Sequence, residues 1–300
     1  MSINKILGEI YLEAREEVER GQVADYIPEL KKASLDDLAL VVMTLDGEVY
    51  SFGDSGKDFS LQSISKILAL GLALEDRGLE EVMTRVSFKA TEAAFNSFAG
   101  LEVEGSLPAN PMINAGAIAT TSLIKGERLA RLLELIGGLV GRKIDYSRSI
   151  YRSESETGDR NKALAYILKN KGILGQDFDQ VLDDYFKQCS IEVNALDLAR
   201  LGYVFANAGR DLSGRRVFSR ETVRIVNGNM ATAGMYDYSG EYAIRVGIPS
   251  KSGVSGAILA VLPNRAAIAV YSPGLDGYGN SVLGQRMLER ISKELEYSIF

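Results

Sequence analysis

A serine stands three residues before a lysine at the start of an apolar run, Phe59-Ser60-Leu61-Gln62-Ser63-Ile64-Ser65-Lys66-Ile67-Leu68-Ala69-Leu70. On a helix that spacing puts Ser63 and Lys66 on one face, where their side chains can touch. Ile64, Ile67, Leu68, Leu72 and Ala73 give the same helix a buried side. A serine in a first turn sits by outward-pointing backbone N–H groups and the positive end of the helix dipole, which suits a nucleophile that develops negative charge. Ser2/Lys5 and Ser122/Lys125 repeat the spacing, but the first pair lies at the terminus and the second follows a Gly/Ala-rich run.

A second lysine motif, Lys251-Ser252-Gly253 in Pro249 to Gly256, lies between apolar runs near the end of the chain. Lysine, hydroxyl residue and glycine match the K-[ST]-G element that accompanies S-x-x-K in penicillin-recognising serine hydrolases. Taken singly, Ser63 is also an ordinary first-turn residue, Lys66 a solvated helix lysine and Lys251-Ser252-Gly253 an edge strand. The 300 residues include no histidine. Ser-His-Asp and Cys-His mechanisms and H-E-x-x-H zinc sites are therefore excluded, and lysine, tyrosine or a carboxylate must move the protons of any acyl transfer.

The elements that must position these groups follow from periodicity. Met1 to Arg20 reads as an amphipathic helix with Ile3, Ile6, Leu7, Ile10, Ala14 and Val18 on one side. Leu38 to Leu45 and Glu48 to Phe52 read as a hairpin about Asp46-Gly47, and a polar loop from Gly53 to Asp58 leads to the Ser63 helix, which stops near Arg77-Gly78. From about Val86 to Arg216 the pattern is helical. Tyr242 to Ile248, Gly256 to Leu262 and Ala266 to Tyr271 read as strands, and Ser281 to Glu296 as a last amphipathic helix. The order predicts an α/β chain of the α+β type. One antiparallel sheet, from 1–58 and 217–300, is flanked by terminal helices, and a mainly helical domain, 59–216, leaves a cleft between the two.

A net charge of −6 gives no basic footprint for nucleic acid or an anionic membrane. No apolar run is long enough to span a bilayer, and the N-terminus lacks a secretory pattern. With Cys189 as the one cysteine, an intramolecular disulfide is excluded and a cytoplasmic protein is expected. Cys189 itself reads as a small buried hydrophobe. No motif calls for a metal or an organic cofactor.

In its order of segments the chain resembles the serine-dependent glutaminases of the β-lactamase-like fold: "ADYIPEL", "SLQSISK", "NPMINAGAI", "SESETGDRNKALAY", "YFKQCSI", "GMYDYSGEYA" and "GIPSKSGVSGAI". The resemblance implies hydrolysis of L-glutamine to L-glutamate and ammonia, with Ser63 as nucleophile and Lys66 as its proton acceptor. It also implies that Tyr26, Asn114, Glu154, Asn161, Tyr185, Tyr236 and Val254 contact glutamine, and that Lys251 belongs to the catalytic set. In this scheme Glu154 pairs with the α-ammonium, Asn114, Asn161 and Tyr26 hydrogen-bond the α-carboxylate, and the N–H groups of Ser63 and Val254 bind the oxyanion. Tyr185 and Tyr236 both stand as proton relays. Lys66 acts as base only when neutral, so burial or a nearby cation such as Lys251 must lower its pKa. A homo-oligomer, dimer or tetramer, is implied as well. A β-lactam or D-alanyl peptide hydrolase shares both lysine elements, and a non-catalytic glutamine-binding domain would share the pocket; both stand as alternatives.

Overall fold

The computed structural model describes residues 2–17, 19–91, 96–98 and 100–300. In chain order the elements are α1 (Ile3–Glu16), β1 (Ala39–Thr44), β2 (Val49–Gly53), β3 (Phe59–Ser60), α2 (Ser65–Met83), α3 (Asn114–Ser122), α4 (Arg128–Val140), α5 (Arg148–Thr157), α6 (Asp159–Asn170) and α7 (Phe178–Cys189). They continue with β4 (Glu192–Val193), α8 (Ala195–Ala206), α9 (Arg220–Ala233), α10 (Ser239–Arg245), β5 (Ser250–Ser252), β6 (Ala257–Leu262), β7 (Ala266–Tyr271) and α11 (Val282–Leu295).

Five strands form one antiparallel sheet in the order β2-β1-β7-β6-β5. The inner strands are buried on both faces, which explains their continuous apolar sequence. Leu40, Val42, Ile258, Ala260, Ile268 and Val270 pack with Leu7 and Ile10 of α1 and Leu283 and Met287 of α11. Their neighbours Ala39, Val41, Met43, Leu259, Val261 and Ala269 pack with Leu198 and Ala199 of α8 on the other face. Gly202 permits that approach, since a Cβ there would stand 2.5 Å from Leu259. The register aligns Val41, Ala269, Leu259 and Lys251 in one row, so the two-residue period aims Lys251 at the helical side.

The sheet hairpin, the helical middle and the last helix fall where the periodicity places them. In the first helix, Ile3–Glu16, Leu7, Ile10 and Ala14 are buried; Met1 and Val18 of the expected helix lie outside the described residues. Three expectations change. Tyr242 to Ile248 is not a strand: α10 covers Ser239–Arg245, with Tyr242 and Val246 buried one turn apart while Ile244 is 88% exposed. The apolar residues at 242, 244, 246 and 248 mimic a strand, but the helical turn leaves Ile244 in solvent while Tyr242, Val246 and, beyond the helix, Ile248 meet the core. The middle is not wholly helical, because β4 pairs with β3 just before Ser63. The Ser63 helix does break at Gly78 (φ 76°, ψ 165°), but it resumes and runs to Met83.

Candidate active site

Ser63 sits not inside α2 but in a 3₁₀ turn, Gln62–Ile64, that leads into it. Leu61 N–H donates to Ile191 O at 2.8 Å, which fixes the entry beside the β3–β4 pair. Gln62 then adopts φ +47°, a left-handed conformation that is costly for a side-chain-bearing residue and persists only where its surroundings hold it. Buried Leu61, Ile64, Ile67 and Leu68 supply that hold.

Lys66 is buried in α2, and its Nζ donates to Met112 O at 2.9 Å and to Asn114 Oδ1 at 2.8 Å. Burial lowers its pKa to about 8. Asn114, the first residue of α3, passes the contact on: its Nδ2 donates to Asn161 Oδ1 at 2.9 Å. Asn110 holds the approach to α3 by accepting from the Met112 and Ile113 N–H groups at 3.0 and 3.2 Å. A Cβ on Gly116 would stand 1.9 Å from Asn110 O, so only glycine lets α3 lie this close. The hydroxyl of Ser63 is hydrogen-bonded to Tyr236. The amine three residues on thus serves the Asn114 side, and a tyrosine from another part of the chain meets the serine.

Tyr236 adopts φ +57° in the turn before α10, and its hydroxyl donates to Ser252 O at 3.3 Å. Burial raises its pKa. Lys251 lies beneath it, fully buried, with Nζ 4.5 Å from the Tyr236 ring centroid and donating to Ser252 O at 2.7 Å and Gly234 O at 3.1 Å. Burial first, and then the charge of Lys66, hold Lys251 well below its ordinary pKa.

In front of Ser63 opens a cavity of about 270 Å³. It brings together Tyr26, Ser63, Asn114, Glu154, Asn161, Tyr185 and Val254 from the sequence reading, while Lys66, Tyr236 and Lys251 stand behind its wall. Glu154, on α5, is 7% exposed; burial raises its pKa to about 7, against the opposing effects of a Gln62 hydrogen bond and the Lys66 charge. Tyr185 is buried and hydrogen-bonded to Cys189, and burial raises its pKa well above the ordinary value. Burial also pushes the Cys189 thiol up to about 12, so it is no nucleophile near neutrality. Tyr26 is 54% exposed as a residue, yet its hydroxyl end is buried, and that burial together with Glu154 raises its pKa. Among the described residues no group of three or more His, Cys, Asp or Glu is placed to hold a metal ion.

Sequence reasoning missed Gln62, Asn96, Thr157 and Arg160, which also line the cavity. Gln62 and Arg160 each adjoin a residue it did single out; Asn96 carried no such signal.

The family model described as "Glutaminase" matches residues 21–300, a span that contains all ten candidate residues. The chain belongs to the glutaminase family. It is similar to Glutaminase 2 of Clostridium perfringens, 48% identical over 293 residues with 95% of this chain and 96% of the relative covered. A glutaminase of Geobacillus thermodenitrificans is 49% identical over 295 residues, with 96% of each chain covered. Among solved structures, a probable glutaminase superposes with a TM-score of 0.94 at 40% identity, covering 99% of this chain and 97% of its own. These relatives are glutaminases and not penicillin-recognising hydrolases, so both lysine motifs belong to a glutaminase here.

Proposed function

We propose that this glutaminase hydrolyses the side-chain amide of L-glutamine through an acyl-enzyme on Ser63. The observation that carries this reading is the junction of a buried Ser63, preceded by the strained Gln62 and bonded to Tyr236, with a cavity lined by Glu154, Asn114 and Asn161. Ser63 Oγ attacks the amide carbon as its proton leaves toward Lys66, whose lowered pKa keeps a useful neutral fraction near neutrality. The N–H groups of Ser63 and Val254 receive the oxyanion, an interaction worth about 3 kcal/mol per donor. Tyr236, already bonded to Ser63, returns the proton to the leaving nitrogen. Ammonia departs, and water then cleaves the γ-glutamyl ester by the reverse proton path.

Glu154, once ionised, pairs with the α-ammonium, and Asn114, Asn161 and Tyr26 donate to the α-carboxylate. Tyr185 packs the wall beside Glu154, and Lys251, its pKa held down by burial, supports Tyr236 from below. A further solved structure, Mglu in its glutamate form, superposes with a TM-score of 0.93 at 36% identity, covering 99% of this chain and 69% of its own, and its glutamate form supports an amino acid as ligand.

The same reading treats 1–58 with 217–300 and 59–216 as the two parts of a β-lactamase-like fold. It is supported by a cavity lined by Tyr26 and Val254 from the first part and Gln62 to Cys189 from the second. A cytoplasmic homo-oligomer completes the proposal; among the described residues no helix is long and apolar enough to cross a membrane.

The test is ammonia and glutamate release from L-glutamine by the purified protein beside Ser63→Ala. Release should fall by about 1,000-fold or more in the variant, with the fold intact by circular dichroism. A variant that keeps most of the activity would remove Ser63 as nucleophile.

A further inference from the structure

Of the side chains lining the cavity, Glu154, which is buried, and Arg160, which is exposed, are the two among the described residues that are not held neutral near pH 8, since Tyr26, Tyr185 and Cys189 have raised pKa values. An α-amino acid is a zwitterion, so its ammonium has a buried countercharge while its carboxylate, as assigned above, faces neutral donors only. Those donors are already partly committed. Asn114 accepts from Lys66 through Oδ1 and spends one N–H on Asn161. A carboxylate moved out of water against neutral donors alone carries a large desolvation cost.

Arg160 lies in the first turn of α6, adjacent in sequence to Asn161. Its guanidinium stands 5.5 Å from the Phe98 ring centroid, and Nη1 donates to Asn96 Oδ1 at a long 3.4 Å. The ring takes the flat face of the cation, and a planar fork of five N–H donors keeps further edge positions for a carboxylate. We propose that Arg160 is the carboxylate-recognising cation of this glutaminase, a specificity-determining residue that selects substrates with a free α-carboxylate. The proposal rests on the Ser63 cavity being the glutamine site.

The test compares the parent enzyme, Arg160→Gln and Arg160→Lys on L-glutamine and on L-glutamine α-methyl ester, which keeps the ammonium and the reacting amide but removes the carboxylate charge. Because Arg160 is exposed, solvent screening limits the effect. Arg160→Gln should lose about tenfold in kcat/KM on L-glutamine, carried by KM, and less than about twofold on the ester. Arg160→Lys should recover most of the loss. Added NaCl should raise KM for L-glutamine in the parent and leave it nearly flat in Arg160→Gln, a readout that stands even where ester turnover is too slow to follow.

Equal losses on the two substrates with an unchanged salt response would reduce Arg160 to a staple for residues 96–98 and overturn the proposal. An unchanged KM for L-glutamine would do the same. Failure of the cavity assignment shows separately, as activity retained by Ser63→Ala.

Discussion

Lys66 and Asn114, 48 positions apart in sequence, are joined by a hydrogen bond of 2.8 Å from the buried amine to the amide oxygen. The second bond of Asn114, to Asn161, carries the connection to the cavity wall. The group read as the base and the groups read as carboxylate ligands are therefore one network, and a change at Asn114 reaches the proton transfer as well as binding.

Asn114→Asp tests that link. A carboxylate beside Nζ favours the charged amine and raises its pKa by about 1–3 units. The alkaline rise in kcat/KM, expected near pH 8 in the parent, should move up by at least about one unit. A pH profile with an unmoved limb would show that Lys66 is not the group whose deprotonation limits the reaction.

The parent profile follows from two groups with the same sign. Glu154 must lose its proton to hold the ammonium, which it does above about 7, and Lys66 must lose its proton to act as base, above about 8. Activity should thus climb continuously from pH 6 to about pH 9, KM falling first and kcat rising later. Glu154→Gln should erase the KM step and raise KM by about 10- to 100-fold. A KM independent of pH in the parent would remove Glu154 from the ammonium site.

Glu154 should also cost stability. Its pKa rises on folding from 4.5 to about 7, so between those values the folded chain holds a proton that the unfolded chain has lost. Stability then falls as pH rises through that window, by about 3 kcal/mol in total, and the loss is complete at pH 8. Glu154→Gln escapes this fall. Urea unfolding should find the variant gaining on the parent between pH 5 and pH 8; a constant difference would count against a protonation linked to folding.

Tyr236→Phe removes one hydroxyl from a ring that is otherwise held by packing over Lys251. We expect kcat to drop about 100-fold or more, with KM and melting temperature nearly unchanged. An equal loss in Tyr185→Phe with Tyr236→Phe active would transfer the relay to Tyr185.

Where the chemistry lies was legible in residue types. The absence of histidine left lysine, tyrosine or a carboxylate to move protons, and Ser63, Lys66 and Lys251 stood in spaced motifs. The sheet was legible because β1, β6 and β7 are apolar on both faces, and two-faced burial needs no alternation. Residues 242–248 were misread for a related reason: apolar side chains at alternate positions satisfy a strand pattern, although the helix α10 buries Tyr242, is followed by buried Val246 at its C-cap, and leaves Ile244 in solvent.

The sequence by itself determined the family and a set of candidate residues, since these depend on which functional groups exist and in what order. Only the tertiary structure decided which of them meet. It gave Ser63 a tyrosine as hydrogen-bond partner, gave Lys66 an asparagine, and set an exposed Arg160 and a buried Glu154 along one cavity. It also decided the protonation states, because a lysine near 8 and a glutamate near 7 arise from burial. Burial belongs to the packing of distant segments and has no local spelling in the chain.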